Sequence, residues 1–484
     1  MIVVQITTLP DEVLLEVFVS YRLSSEGLSD SPWNWNTLVH VCRKWRNIVF
    51  ASSRRLNLWL LCTHNTPVRR ALEYWPRLPI VIRYSANLEF KPPAPEDEDN
   101  VVAALEHPDR VRGIRLAVTS SLWEKVEKLM RVPFWELTSL SLWSEKGVTP
   151  DLPNALLGGY APRLKDLSLI GIPFPGLPTL LQSTRDLTSL RLIKVPDAGY
   201  ISPHAIATCL SALSSLQELY IEFHFPILPH DRRHERLPPL EHVTLPSLTR
   251  FHFRGASEYL ESLVAQIDAP LLSHVNITLF NQIIFQVPHL SRFISRMEVI
   301  KSPKAAEMEL SFGSGVSVTV TTLDQPGAAG GPQALGYFLS LQIPCGWLDW
   351  QVSSMAQICS QSCVFSNVER LDIRADFLRL DWQDDMDPIV WLELFHSFTS
   401  VKMLVISGEL GPHIAPALEE AAKEIDSEML PELCEVQFEC CKKSAPVEDF
   451  VAARQESHRT VTVQYTRSSH SFETTGRDKS HGHQ

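Results

Sequence analysis

Metal, nucleophile and phosphate chemistry would show first as particular residue types at fixed spacing. His230 and His234 lie four apart, but Arg232 and Arg233 stand between them in a stretch that reads as a solvated basic loop, not a zinc site. Cys359, Cys363, Cys434, Cys440 and Cys441 lack the close Cys-x-x-Cys pairs of a zinc ribbon, so core filling is the expectation for them. His458, His470, His481 and His483 are dispersed along the C-terminal end and make no preformed ligand set. No phosphate-cradling Gly-x-x-x-x-Gly-Lys-Ser/Thr loop and no Gly-x-Gly-x-x-Gly occurs. Gly313-Ser314-Gly315 is not a nucleophile elbow, and Asn276-Ile277-Thr278 is a glycosylation acceptor in form only, with no secretory signal before it. The expectation is therefore no catalytic residue, no metal, no cofactor and no enzyme activity.

A different set of side chains is better placed for recognition. Arg115, Ser141, Ser168, Arg191, Tyr220, His252, Asn276, Asp372, Val405 and Gln437 each stand one position before the last residue of a recurring pattern, apolar-x-x-apolar-x-apolar. The copies are Val111/Ile114/Leu116, Leu137/Leu140/Leu142, Leu164/Leu167/Leu169, Leu187/Leu190/Leu192, Leu216/Leu219/Ile221, Leu248/Phe251/Phe253 and Leu272/Val275/Ile277. After an interval come Val368/Leu371/Ile373, Val401/Leu404/Ile406 and Leu433/Val436/Phe438. Last positions within each run are about 23 to 33 residues apart, near the leucine-rich-repeat range. In such a unit a short strand points its last two apolar residues inward, and the residue between them points out. Connecting segments such as 205–213 and 259–266 cross back, and stacked units share a core that no single unit could bury. The outward column then lines one face, on which Arg191, Tyr220, His252 and Asn276 are the candidate target-binding residues.

Two features interrupt the array. Met308 to Phe312, Gly313-Ser314-Gly315, and Val316 to Val320 predict a hairpin near residues 305–322, inserted into the array. Met308 with Leu310, and Leu341 with Ile343, are expected to supply array strands. Residues 91–100, with three prolines and the run Glu96-Asp97-Glu98-Asp99, read as a solvated linker; 226–246 and 325–332 read as loops, and 455–484 as a frayed tail.

The N-terminal sixty residues have their own pattern. Leu9-Pro10-Asp11-Glu12 starts a helix, with Pro at its first position and acidic residues in the first turn. Val13, Leu14, Val17, Phe18 and Tyr21 form one apolar stripe along it. A second helix is predicted from Asn36 to Phe50, with Leu38, Val41, Cys42, Trp45 and Val49 on one face. Helices this short must pack on the following domain, on a partner, or on both.

The string Leu9-Pro10-Asp11-Glu12-Val13-Leu14-Leu15-Glu16-Val17-Phe18, followed by Leu38-Val39-His40-Val41-Cys42-Arg43-Lys44-Trp45-Arg46, resembles the F-box motif in both halves. The continuation through Arg54-Arg55-Leu56-Asn57-Leu58-Trp59 to Trp75-Pro76-Arg77-Leu78-Pro79-Ile80 is similar to the F-box proteins abundant in mushroom-forming fungi. The resemblance implies docking onto the Skp-type adaptor of a cullin-RING ubiquitin ligase. The docking residues it implies are Leu9, Pro10, Val13, Leu14, Val17, Phe18, Leu38, Val41, Cys42 and Trp45. One departure is the stretch Ser24 to Asn34, longer than usual and in place of a short helical segment that many F-boxes carry. It favours the alternative of a binding scaffold that keeps the module without ligase assembly.

Composition agrees with a protein that binds proteins. The chain has 484 residues, 44% hydrophobic and 21% charged, with a formal net charge of -12 that argues against general nucleic-acid binding. Nine scattered cysteines point to a reducing intracellular compartment, cytoplasmic or nuclear. No apolar run is long enough to span a membrane. The expected architecture is α/β: an F-box-like helical module at 1–62, a connecting segment at 63–110, an irregular leucine-rich-repeat-like solenoid at 111–454, and a flexible tail at 455–484.

Overall fold

The computed structural model describes residues 9–25, 35–63, 66–84, 95–144, 152–224, 242–298, 303–311, 313–322, 337–376, 387–423, 429–439, 445–456 and 460–466. The chain divides into two compact units, Met1–Ile227 with Val243–Ser247, and Leu228–His242 with Leu248–Gln484. Both are mixed α/β with mostly parallel strands.

In the first unit, helices α1 (Asp11–Ser25), α2 (Asn36–Val41) and α3 (Arg43–Ala51) precede strand β1 (Leu60–Cys62). Then follow α4 (Val68–Tyr74), β2 (Ile80–Tyr84), α5 (Pro95–Leu105), β3 (Val111–Val118), α6 (Ser120–Val126), β4 (Ser139–Ser144) and β5 (Asp166–Ile170). The unit closes with α7 (Leu177–Ser183), β6 (Ser189–Val195), α8 (Pro203–Leu210), β7 (Glu218–Phe223) and β8 (Val243–Thr244). Strands β1 to β7 pair in sequence order, all parallel. Register aligns the apolar copies: Ile114 pairs Leu140, Leu140 pairs Leu167, Leu167 pairs Leu190, and Leu190 pairs Leu219.

The second unit contains β9 (Arg250–Gly255), α9 (Ser257–Val264), β10 (Ile267–Asp268), β11 (His274–Leu279), α10 (Pro288–Ser295), β12 (Ala305–Ser311) and β13 (Gly315–Thr321). They are followed by β14 (Tyr337–Ile343), α11 (Leu348–Cys359), α12 (Cys363–Ser366), β15 (Arg370–Asp376), α13 (Pro388–Phe395), β16 (Met403–Ser407), α14 (Gly411–Lys423), β17 (Glu435–Glu439), α15 (Ala445–Glu456) and β18 (Thr462–Thr466). The sheet order is β9-β11-β14-β13-β12-β15-β16-β17-β18. Only the β13 pairings are antiparallel. Every apolar residue of the ten sequence copies is buried, none more than 6% exposed, which is what a shared core between strand and return segment demands.

The hairpin forms at Gly313-Ser314-Gly315 as expected, but its register differs by two residues. Ala306 and Met308, not Met308 and Leu310, pair with Leu371 and Ile373; Leu339 and Leu341 pair with Val275 and Ile277. Gly315 is required where it stands. Its φ is +86°, and a Cβ there would meet the Ile343 carbonyl oxygen at 2.1 Å.

Several expectations are corrected. The parallel strands begin at Leu60, not at residue 111: β1 spans only three residues, and on β2 Pro79 stands where the pattern has its leading apolar residue. The acidic run 96–99 is not a linker: it lies on α5, where Glu98 is only 5% exposed and Lys125 Nζ reaches Glu98 Oε2 at 3.0 Å and Asp99 Oδ1 at 3.1 Å. The helix predicted from Asn36 to Phe50 is two helices. Cys42 adopts an extended conformation (φ -159°, ψ 171°), and its Sγ accepts the Trp45 N–H at 3.5 Å as the cap of α3. Part of the expected tail is a strand, β18, in parallel register with β17, with the Tyr465 and Phe438 rings 5.7 Å apart. The loop 325–332, and most of the stretches 24–34, 226–246 and 467–484, lie outside the described residues.

Candidate functional site

Two surfaces of the first unit carry most of the residues singled out by sequence; His252 and Asn276 lie in the second. The first is the helical module. Its core holds Leu14, Phe18, Trp35, Leu38, Val39, Ile48 and Val49, together with Leu56, Leu58 and Leu78, so it is continuous with the start of the parallel ladder. Phe18 meets Trp45 edge to face, ring centroids 4.8 Å apart. Trp35 packs against Phe50 at 6.0 Å and Trp75 at 5.1 Å, and its Nε1 donates to the Trp59 carbonyl at 2.9 Å. Lys44 Nζ donates to the Leu9 carbonyl at 2.7 Å and pairs with Asp11, tying the start of α1 to α3.

The apolar stripe of α1 therefore splits. Leu14 and Phe18 point inward, whereas Val13, Val17 and Tyr21 are 44%, 49% and 45% exposed, one line at i, i+4 and i+8. Of the other residues implied for docking, Leu38 is buried, Leu9, Cys42 and Trp45 are half-buried, and Pro10 and Val41 are exposed. Leu14, Phe18 and Leu38 hold the helices together and are not presented at the surface. This corrects their assignment as docking residues.

The second surface is the open face of the ladder. Register sets Arg83, Arg115, Ser141, Ser168, Arg191 and Tyr220 in one row across β2 to β7. The adjoining row is Val81, Gly113, Ser139, Asp166, Ser189 and Glu218. Between them lies a cleft of about 600 Å³. Arg191 donates to Glu218 Oε2 at 2.8 Å and lies 4.8 Å from the Tyr220 ring centroid, a cation over an aromatic face. Partial desolvation in the cleft raises the Asp166 carboxyl above its ordinary pKa against the opposing pull of Arg191.

Sequence reading missed several charged members of this cleft, Glu218 among them. Arg83 stands on β2, whose copy of the pattern lacks its leading apolar residue. Arg112 is the extra residue of a bulge: Ile80 pairs Val111 but Val81 pairs Gly113, which carries Arg112 onto the cleft wall. Asp166 lies two residues before Ser168 on the same face, a position that period-two alternation would have found.

The second unit continues the outward column on its own sheet. His252 pairs Asn276, and the row runs on through Ser340, Thr319, Glu307, Asp372, Val405 and Gln437. Arg191 and Tyr220 thus belong to one unit, His252 and Asn276 to the other. Asp372 and Val405 were expected to face outward, but both are buried, at 0% and 1% exposure. Arg370 closes over Asp372 with bonds of 2.7 and 3.1 Å, and Arg374 bridges Asp372 at 3.5 Å to Glu307 at 2.6 Å. Burial raises the Glu307 carboxyl despite Arg374.

His230, His234, Cys440, Cys441 and the four C-terminal histidines lie outside the described residues. Cys359 is buried and its thiol is pushed far above the usual range, while Cys363 and Cys434 are exposed. Among the described residues no group of three His, Cys, Asp or Glu side chains is gathered as a metal-ligand set, and no helix is long and apolar enough to cross a membrane. No family model matches the chain, and no curated protein is significantly similar to it.

Proposed function

We propose that this chain is a substrate-recognition subunit of a cullin-RING ubiquitin ligase, docking a Skp-type adaptor through α1 and presenting a target protein on a leucine-rich-repeat-like solenoid. The observation that carries this reading is the exposed line Val13, Val17 and Tyr21 on a helix whose adjoining line, Leu14 and Phe18, is anchored in a core. Three apolar side chains at i, i+4 and i+8 are a helix-in-groove surface, and the F-box resemblance of the same residues names the partner. The alternation of buried strand and return segment supports a solenoid within each unit. Such a subunit acts by raising the local concentration of target beside the conjugating enzyme and needs no catalytic group of its own.

Co-purification with a Skp-type adaptor and cullin is the test. Val17→Asp with Tyr21→Asp removes adaptor capture while the circular dichroism spectrum and melting stay those of the parent. Retained capture by that folded variant sinks the assignment of the surface, and absent capture by the parent sinks the function. The alternative, a scaffold without ligase assembly, rests on the length of Ser24 to Asn34. It is distinguished by adaptor binding without cullin.

A further inference from the structure

We propose that the cleft on the open face of the first unit binds a carboxylate-rich peptide segment of a partner protein, one carboxylate seated between Arg83 and Arg115 above Ser141. The inference rests on reading that face as the target-presenting surface and adds the chemistry of what is presented to it.

The sequence gives the cleft its shape through side-chain size. Arg83 and Arg115 are ladder neighbours, about 4.8 Å apart along the sheet, and after them in the row come Ser141 and Ser168 before Arg191. Long side chains thus wall a floor of short ones. Arg115 and Arg191 are separated by three ladder steps, about 14 Å, or roughly four residues of extended chain. Gly113 keeps the adjoining row low: a Cβ there would meet only the Val81 methyls, at 3.5 and 3.8 Å, in ordinary contact.

The charges of the cleft are unevenly compensated. Arg191 is matched by Glu218. Arg115 is exposed and has no hydrogen-bond or ion-pair partner among the described residues. Arg112 is held by Asn57 Oδ1 at 3.0 Å and has no carboxylate partner there either. In a chain of net charge -12, Arg112 and Arg115, with no carboxylate partner among the described residues, supply a local positive field that attracts an anionic segment. The guanidinium fork fits a planar carboxylate with two parallel bonds, and the serine hydroxyls below supply further donors. Asp166 and Glu218 stand in the next row, and their charge disfavours a phosphate dianion more than a singly charged carboxylate.

The test uses the full chain and three fluorescein-labelled ten-residue peptides, with Glu, Gln or phosphoserine at alternate positions between glycines and serines. Fluorescence anisotropy should show saturable binding of the Glu peptide that weakens as NaCl is raised. The Gln peptide should bind at least about tenfold more weakly. Arg115→Gln and Arg83→Gln should each weaken the Glu peptide by about tenfold or more, since each removes a charge-assisted bond. Ser141→Tyr fills the floor without removing a charge and should weaken it as well, whereas Arg163→Gln, which unpairs Glu136 outside the cleft, should leave it unchanged. Equal binding of the Glu and Gln peptides overturns the inference. So do unchanged affinities in folded Arg83 and Arg115 variants, or binding of the phosphoserine peptide in preference to the Glu peptide. Adaptor capture through α1 is read on the same preparations: capture without peptide binding sinks this inference alone, and peptide binding without capture sinks only the ligase reading.

Discussion

Replacing Trp35 with alanine tests whether the N-terminal helices and the parallel ladder share one core. Trp35 is 4% exposed, meets Phe50 and Trp75 edge to face, and donates to the Trp59 carbonyl at 2.9 Å. Its partners come from both sides of the proposed junction, with Phe50 on α3 and Trp59 and Trp75 flanking β1 and α4. Truncating a buried tryptophan costs about 3–5 kcal/mol, part of which is the Trp59 carbonyl left without its donor. For a unit of this size each kcal/mol lowers the transition by about 2–4 °C, so Trp35→Ala should lower Tm by roughly 6–20 °C. Trp35→Phe keeps the ring contacts and loses the hydrogen bond, a loss of about 1–2 kcal/mol. The assay is thermal melting followed by circular dichroism, with hydrogen exchange read on peptides from α1, α3, β1 and β2. Protection should fall together in all four. If α1 and α3 exchange freely while β1 and β2 keep parental protection, the helices are a separate module and the shared-core argument is wrong.

Other expectations follow from single side chains. Gly315→Ala should destabilise the second unit by well over the ~1 kcal/mol of a left-handed alanine, because the added methyl meets backbone at 2.1 Å that cannot swing away. A melt within about 1 °C of the parent would contradict this. Glu307 has a raised folded pKa, so its contribution to stability is full below its unfolded pKa and is lost as pH rises through the folded value. Glu307→Gln should therefore flatten the fall in Tm as pH rises through that window, and an unchanged slope would refute it. Burial pushes the Cys62 thiol up to about 12 and Cys345 up to about 11. Iodoacetamide at pH 8 should label exposed Cys363 and Cys434 well before either, as read by peptide mass spectrometry.

What the sequence made legible was the part dominated by apolar periodicity. Leu140, Leu167, Leu190 and Leu219 fall in register because burying them fixes both strand spacing and which side chains face out. What stayed hidden depended on partners distant in sequence. The run Glu96 to Asp99 has the composition of a linker, and it takes Lys125 and Ser121, both distant in sequence, to make a buried Glu98 tolerable. Arg112 reaches the cleft by a bulge that no periodicity announces. The α1 stripe was visible, but its division into Leu14 and Phe18 inside and Val13, Val17 and Tyr21 outside required Trp45 to be in place. Asp372 was read as outward because strand alternation is blind to two arginines on the same face folding over it.

The β12–β13 hairpin has a consequence for how the second unit assembles. In the first unit neighbouring strands are close in sequence: Ser189 on β6 contacts Glu218 on β7 across 29 positions. Across the hairpin, Thr278 on β11 must find Gln342 on β14 across 64. Strands β9 and β11 join β15 to β18 in their sheet only by way of β14, β13 and β12. Growth by adding each strand to the last cannot pass this point, and chain closure over the longer loop slows it. The hairpin is a seam: strands on either side of it can form early and locally, and the turn at Gly315 governs when they become one sheet.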